Sequence, residues 1–317
     1  MSAYNQFVLK VFPVSNQYFP VNLPEIPPEI LPEYFDQHPD IISKHPYLAD
    51  LLRIEYACYL IKNDQSPVLT ELTNRAINPT LELVPVQWSG LPDFLVNPSC
   101  EPKKGEGLVM IYKKQDSGTI YVETPSGHDL LAIKLTCEKI SSSQAAREGN
   151  TSIGTIDDIL YTAIDRGFIL EPHSKLIRDS SFRRISSIHT EYFSAQTFTL
   201  QWHITQKCDL HCRHCYDRSD RTPLKLDQAI GILDNLYDFC KHNHVYTQVT
   251  FTGGNPLLYP HFYELYRETA DRGFFIAVLG NPVSKRQMKE MVAIQKPAFY
   301  QVSLEGLQKH NDYIRGQ

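Results

Sequence analysis

The sequence has no run approaching the roughly 18 apolar residues that a membrane-spanning helix needs. Its first residues, MSAYNQFVLKVFPVSNQYF, lack the basic start and apolar core of a signal peptide. It has no surplus of positive charge: 31 Lys and Arg stand against 36 Asp and Glu, for a net charge of −5. That gives no case for nucleic acid as a partner. It is also short of cysteine, with seven in 317 residues. Four of these, Cys58, Cys100, Cys137 and Cys240, are scattered singly, as reduced thiols of a cytoplasmic protein would be, and not as a disulfide scaffold. The expectation is a cytoplasmic protein of about two domains with neither nucleic acid nor membrane as partner.

The remaining cysteines are grouped. Cys208, Cys212 and Cys215 stand at C-x3-C-x2-C spacing in QWHITQKCDLHCRHCYDRSD, and no second CxxC occurs to complete a four-ligand zinc site. Three thiolates this close can hold three irons of a 4Fe–4S cluster and leave the fourth iron open to substrate chemistry. The surroundings alternate strand and helix. Phe198–Thr205 is rich in aromatic and β-branched residues and reads as a strand, and Leu226–Phe239 reads as an amphipathic helix. A strand over Val245–Thr252 leads into Gly253, Gly254, Asn255 and Pro256. A helix around His261–Arg272 follows, then a strand over Phe274–Leu279 that ends in Gly280, Asn281 and Pro282. A helix near Lys285–Ile294 and a strand over Ala298–Leu304 close the series.

A three-cysteine loop after the first strand of a βα series resembles the radical S-adenosylmethionine (SAM) enzymes. GGNP at residues 253–256 is similar to that superfamily's GGE or GGEP turn, which lies against the amino group of SAM. Here Asn255 replaces the carboxylate, although its side-chain oxygen still accepts a hydrogen bond. SLEGLQKHNDYIRG is similar to the SL-D/E-G…HD-x-IRG run of radical SAM peptide-modifying enzymes, whose Ser and Arg reach the SAM ribose or carboxylate. Those positions are Ser303 and Arg315 here, and Arg suits a carboxylate because its fork donates two hydrogen bonds. Together, CDLHCRHCYDRS, FTGGNPLL, LGNP and SLEGLQKHNDYIRG most resemble the thio(seleno)oxazole modification maturases of the SPASM-type, peptide-modifying branch.

The resemblance implies an α/β fold, a radical SAM partial TIM barrel. It implies a 4Fe–4S cluster on Cys208, Cys212 and Cys215, with SAM held by Gly253, Gly254, Asn255, Pro256, Asn281, Ser303 and Arg315. It further implies an electron donor such as flavodoxin or ferredoxin, a 5′-deoxyadenosyl radical that abstracts hydrogen, and a ribosomally made precursor peptide as substrate. His211 and His214 are read as structural residues beside the cluster, not ligands. Only about four of the barrel's usual six strands precede Gln317, and the branch's Cys-rich extension is absent. The expectation is therefore an incomplete barrel: the front of a longer protein, or one half of an enzyme completed by a second chain. An inactive peptide-binding fragment is the alternative.

The first two-thirds carries weaker signals. Residues 1–105 are Pro-rich and predict short helices, with a stripe at Leu48, Leu51, Leu52, Tyr56 and Tyr59 and with Glu55 off that stripe. Residues 106–172 predict a hairpin from Leu108–Tyr112 and Thr119–Glu123, then helices over Ser126–Cys137 and Thr155–Arg166, the latter N-capped by Thr155 and ended by Gly167. Strands and small helices in this order suit a winged-helix-like module that recognises a leader peptide by strand addition. Residues 173–196, locally basic at Lys175, Arg178, Arg183 and Arg184, read as a linker before the radical SAM domain at 197–317.

Overall fold

The computed structural model describes residues 3–20, 23–64, 69, 71–179, 181, 190–217, 219 and 221–316. In chain order come α1 (Ala3–Val11), α2 (Leu31–Gln37), α3 (Leu48–Asn63), β1 (Ala76–Ile77), β2 (Glu82–Ser89), α4 (Leu91–Val96), β3 (Lys103–Lys113), β4 (Ile120–Glu123) and α5 (Gly127–Cys137). Then follow α6 (Ser142–Glu148), α7 (Ile153–Arg166), β5 (Ile169–Leu170), β6 (Thr197–Thr205), α8 (Leu226–Asn243), β7 (Tyr246–Gly253), α9 (Phe262–Asp271), β8 (Phe275–Leu279), α10 (Lys285–Ile294), β9 (Phe299–Gln301) and α11 (Gln308–Arg315). The chain divides into two compact units, Met1–Ile140 with Ile159–Glu171, and Ser141–Asp158 with Pro172–Gln317. Among the described residues no helix is long and apolar enough to cross a membrane.

The first unit is built on an antiparallel sheet of order β2-β3-β4. The predicted hairpin is β3–β4, with Met110 opposite Glu123 and Lys113 opposite Ile120. β3 begins at Lys103 and pairs with β2, so the hairpin shares its sheet with residues before 105. β2 carries Pro85, and its edge position is where a strand tolerates a residue with no N–H to give. α3 packs across all three strands. Its buried positions include Leu48, Leu51, Leu52, Ile54, Ala57 and Ile61, so the helix is enclosed more widely than the expected stripe. Glu55, expected off that stripe, is buried. Its carboxylate accepts the backbone N–H groups of Val14 (2.7 Å) and Ser15 (2.9 Å), which offsets the cost of taking the charge out of water.

The second unit holds a parallel sheet of order β6-β7-β8-β9, each strand joined to the next through one helix. β7 and β8 are covered on both faces, with Val249, Phe251, Ile276 and Val278 buried on one side and Thr250, Thr252 and Ala277 on the other, as parallel strands require. α7 starts at Ile153, so Thr155 lies inside the first turn. The expected cap is displaced to Ser152, whose hydroxyl accepts the Thr155 N–H at 3.0 Å. Asp157, in that same turn, is buried and takes the Ser142 hydroxyl (2.6 Å) and the Lys241 ammonium (2.8 Å). Lys175 and Arg178 of the expected linker are tied down by backbone bonds, to the Asn243 (3.0 Å) and Phe193 (2.7 Å) carbonyls. Arg183 and Arg184 lie outside the described residues.

Candidate active site at the strand ends

The chemistry-bearing residues collect where the parallel strands end. β6 ends at Thr205 and passes straight into the cysteine loop; β7 ends at Gly253, β8 at Leu279 and β9 at Gln301. In parallel α/β sheets these carboxyl ends are where ligands bind.

The two glycines let the turn after β7 press against the cysteine loop. A Cβ on Gly253 (φ +124°) would stand 2.1 Å from the Thr205 carbonyl oxygen, and one on Gly254 2.2 Å from that of Lys207. No real side chain tolerates such distances, so glycine is required at both positions. The contact is made by hydrogen bonds, from Gly254 N–H to the Thr205 carbonyl (2.9 Å) and from Asn255 N–H to the Lys207 carbonyl (2.7 Å). The close approach seen is thus of the chain to itself. It fixes the first residues of the cysteine loop.

Asn255 and Asn281 are both buried, and each occupies the same place, just past a strand-end glycine. Both aim their amides at one carboxylate. Asn255 Nδ2 donates to Asp209 Oδ1 at 3.1 Å, and Asn281 Nδ2 donates to the same oxygen. Asn255 Oδ1 accepts the Leu257 N–H at 3.3 Å, which caps the short turn opened by Pro256. Asn281 Nδ2 also lies 3.4 Å from Cys208 Sγ, and its Oδ1 accepts from Arg315 Nη2 at 3.1 Å. The Tyr300 hydroxyl donates to the Asn281 carbonyl at 2.6 Å. Burial, with the Asp209 charge adding to it, pushes that phenol up to about 12, so it remains a donor.

Arg315 sits at the end of α11, a helix absent from the expected elements. Three contacts bind α11 to the cysteine loop. Arg213 N–H donates to the Ile314 carbonyl (2.8 Å). The Arg213 guanidinium donates to the Tyr313 carbonyl (3.0 Å) and hydroxyl (3.1 Å) and lies 3.9 Å from the centre of its ring. Gly316 (φ +71°) passes so close to His211 that a Cβ would meet its carbonyl oxygen at 2.3 Å. His211 is thus structural through its backbone. His214 is exposed, with Nε2 3.6 Å from Glu305 Oε1, and the same Glu305 oxygen lies 3.9 Å from Arg315 Nη1. Ser303 is exposed just beyond β9.

Cys208 and Cys215 are exposed and Cys212 half-buried. Among the described residues no three Cys, His, Asp or Glu side chains converge closely enough to hold a metal ion as placed. The donor set nonetheless fits an iron–sulfur cluster. It offers three soft thiols on one short loop, two open to solvent, and an amide N–H already beside the Cys208 sulfur, the kind of contact that tunes such clusters. Beyond the third cysteine, Asp217 accepts from the Ser219 backbone and hydroxyl and from Arg221 (2.7 Å). These bonds, Ser219's first, hold its carboxyl below the usual range. His203 and Thr205 at the end of β6 line a cavity of about 140 Å³, with Arg221, Leu224 and Tyr259 across from them.

Residues 202–317 match the model of the radical SAM superfamily, and this part of the chain is a radical SAM domain. Among curated proteins, the chain is similar to an S-adenosylmethionine-dependent nucleotide dehydratase of Selenomonas ruminantium (32% identical over 26% of this chain and 30% of that one). It is also similar to the Fe-coproporphyrin III synthase of Methanosarcina barkeri (23% identical over 46% and 37%). The similarity thus spans about a third of each relative. Among solved structures it is similar to Streptococcus suis SuiB bound to its precursor peptide SuiA, at 17% identity and TM-score 0.33, covering 66% of this chain and 48% of that one.

Asp209, Arg213, Tyr313 and Glu305 were not singled out by sequence reasoning. The available signal was the repetition of Gly-Asn after two successive strands, which places two identical amides at neighbouring strand ends.

Proposed function

We propose that this chain carries the catalytic core of a radical SAM enzyme acting on a ribosomally made peptide. Cys208, Cys212 and Cys215 would hold a 4Fe–4S cluster. Gly253, Gly254, Asn255, Pro256, Asn281, Ser303 and Arg315 would border SAM. When bound, and given one electron by a donor, the cluster and SAM would supply the radical chemistry that removes a hydrogen atom from substrate. The chain's own part is to anchor the cysteine loop through the 253–255 turn and to present the Arg315 guanidinium at the strand ends. The observation that carries the reading is the three-cysteine loop fastened to the ends of a parallel sheet, inside the region that matches the superfamily.

The two curated relatives are named for a nucleotide and for Fe-coproporphyrin III, so the shared region does not set the substrate. The peptide follows from the resemblance of SLEGLQKHNDYIRG to peptide-modifying enzymes. β4, the open edge of the first unit's sheet and free of proline, is where a leader segment would add as a strand. The test is anaerobic reconstitution of the chain with iron and sulfide, followed by reductive cleavage of SAM. Wild type is expected to release 5′-deoxyadenosine, and Cys212→Ala to release none while remaining folded. Equal release by that variant overturns the proposal.

A further inference from the structure

We propose that Asp209 is the residue that accepts a hydrogen bond from the α-amino group of SAM, and that position 255 is an asparagine because a carboxylate there would face Asp209. The inference rests on the SAM-binding function proposed above and adds a residue to it.

Two buried amides spend their hydrogens on one oxygen of an exposed carboxylate. Asn255 and Asn281 are 5% and 4% exposed, so neither Nδ2 can turn to water, and both are committed to Asp209 Oδ1. Among the described residues the other oxygen of Asp209 takes no hydrogen bond. The carboxylate is therefore oriented from behind and open in front, the arrangement that receives a hydrogen-bond donor. The opposite charge is one side chain away, because Asn281 accepts from Arg315 through the oxygen of the same amide. An α-amino acid end offers one amino group that donates and one carboxylate that accepts, and Asp209 and Arg315 present the complementary acceptor and donor. Glu305, the other carboxylate nearby, faces His214 and Arg315 and is drawn towards them. A Glu at 255 would set a second negative charge against Asp209 within hydrogen-bond reach, where like charges disfavour one another. Asn at 255 turns that repulsion into a donated hydrogen bond. The site thus keeps one negative charge, placed on the cysteine loop instead of on the turn after β7.

The test uses the full reconstituted chain, without reductant, and measures equilibrium binding of SAM and of an analogue lacking the α-amino group. Iron and sulfide per chain are determined for every variant. Asp209→Asn is expected to weaken SAM about tenfold, the scale of one charge-assisted hydrogen bond, and to leave the analogue unchanged. Asn255→Glu alone is expected to weaken SAM as well. The double variant, which moves the carboxylate across, is expected to recover most of the affinity, and it decides the matter if Asp209→Asn takes up no cluster. Unchanged SAM binding in Asp209→Asn, or equal loss of SAM and analogue, overturns the inference and leaves Asp209 as a loop anchor. A wild-type chain that takes up its cluster yet binds no SAM overturns the proposed function instead.

Discussion

The first unit and the strand ends of the second use carboxylates in opposite ways. In the first, Glu55 and Asp50 are buried on α3 and spent on the chain itself: Glu55 on two backbone N–H groups, Asp50 on Arg53 (2.7 Å) and the Gln87 N–H (2.5 Å). At the strand ends of the second, Asp209 is exposed, and buried amides prepare it for something the chain does not supply. A saturated carboxylate holds a fold together, whereas a half-used one holds a place for a ligand. Substitutions in the two units should separate along the same line, and the largest effects test it first.

Gly254→Ala should do the most damage. Its Cβ would stand 2.2 Å from the Lys207 oxygen and 2.7 Å from that of Gln206, both backbone atoms that cannot swing away. We expect the loss of about 3 kcal/mol or more of the second unit's stability, in the range of severe backbone strain, together with failure to take up iron. Urea unfolding and iron content check this. Gly231, within α8 with open space around it, supplies the contrast. Alanine there should stabilise the helix by about 0.5–1 kcal/mol. Equal effects at both glycines would mean that the turn after β7 does not anchor the cysteine loop.

Glu55→Ala comes next. It strands two backbone donors inside the first unit, at about 2 kcal/mol, without touching cluster uptake. Glu55 also gives that unit a pH dependence. Burial raises its carboxyl above the ordinary value, although the bonds from Ser15 and Val14 pull the other way. The folded state therefore holds the proton more tightly than the unfolded state. That stabilisation is complete below the ordinary carboxylate range and is lost as pH rises through the raised value. Thermal unfolding between pH 4 and 8 should show this downward slope for wild type and a flatter line for Glu55→Gln. A wild-type slope in the other direction would mean that the two backbone bonds outweigh burial.

The βα series was legible because each strand is a dense apolar or β-branched run, and each helix except the last has a buried stripe. The cysteine triad was legible as spacing, and the glycine pair and Arg315 as parts of motifs that resemble those of the radical SAM superfamily. What was not legible depends on the fold bringing distant segments together. Glu55 looks solvent-facing until the 14–15 loop arrives forty residues away to cover it. α6 is short and polar, and its anchor is Ser142 on Asp157. β2 was hidden by Pro85, which forbids a central strand but not an edge. α11 is hidden most completely. QKHNDYIR has no buried residue of its own, and only docking against His211 and Arg213 makes it a helix with a place. Asp209 has no periodic signal at all, since its meaning lies in two asparagines 46 and 72 residues away.

That last docking yields the smallest effect and the finest test. Arg213→Ala removes two side-chain hydrogen bonds and the guanidinium from the Tyr313 ring, but leaves the backbone bond to Ile314 and the close passage of Gly316. The side chain is exposed, so solvent discounts its charge, and the expected cost is about 1 kcal/mol. Global unfolding will barely register it. Local opening of α11 will, because a helix with no buried residues is held by its neighbours alone. Hydrogen exchange over residues 308–315 should quicken several-fold in the variant, while the first unit and β6–β8 stay as they were. Arg213→Lys should recover only part of the protection, because an ammonium keeps the charge over the ring but not the fork that reaches both Tyr313 oxygens. If exchange in α11 is unchanged by either substitution, the backbone bond and Gly316 suffice to seat the helix, and the support for Arg315 lies in the main chain instead of in the residue between the second and third cysteines.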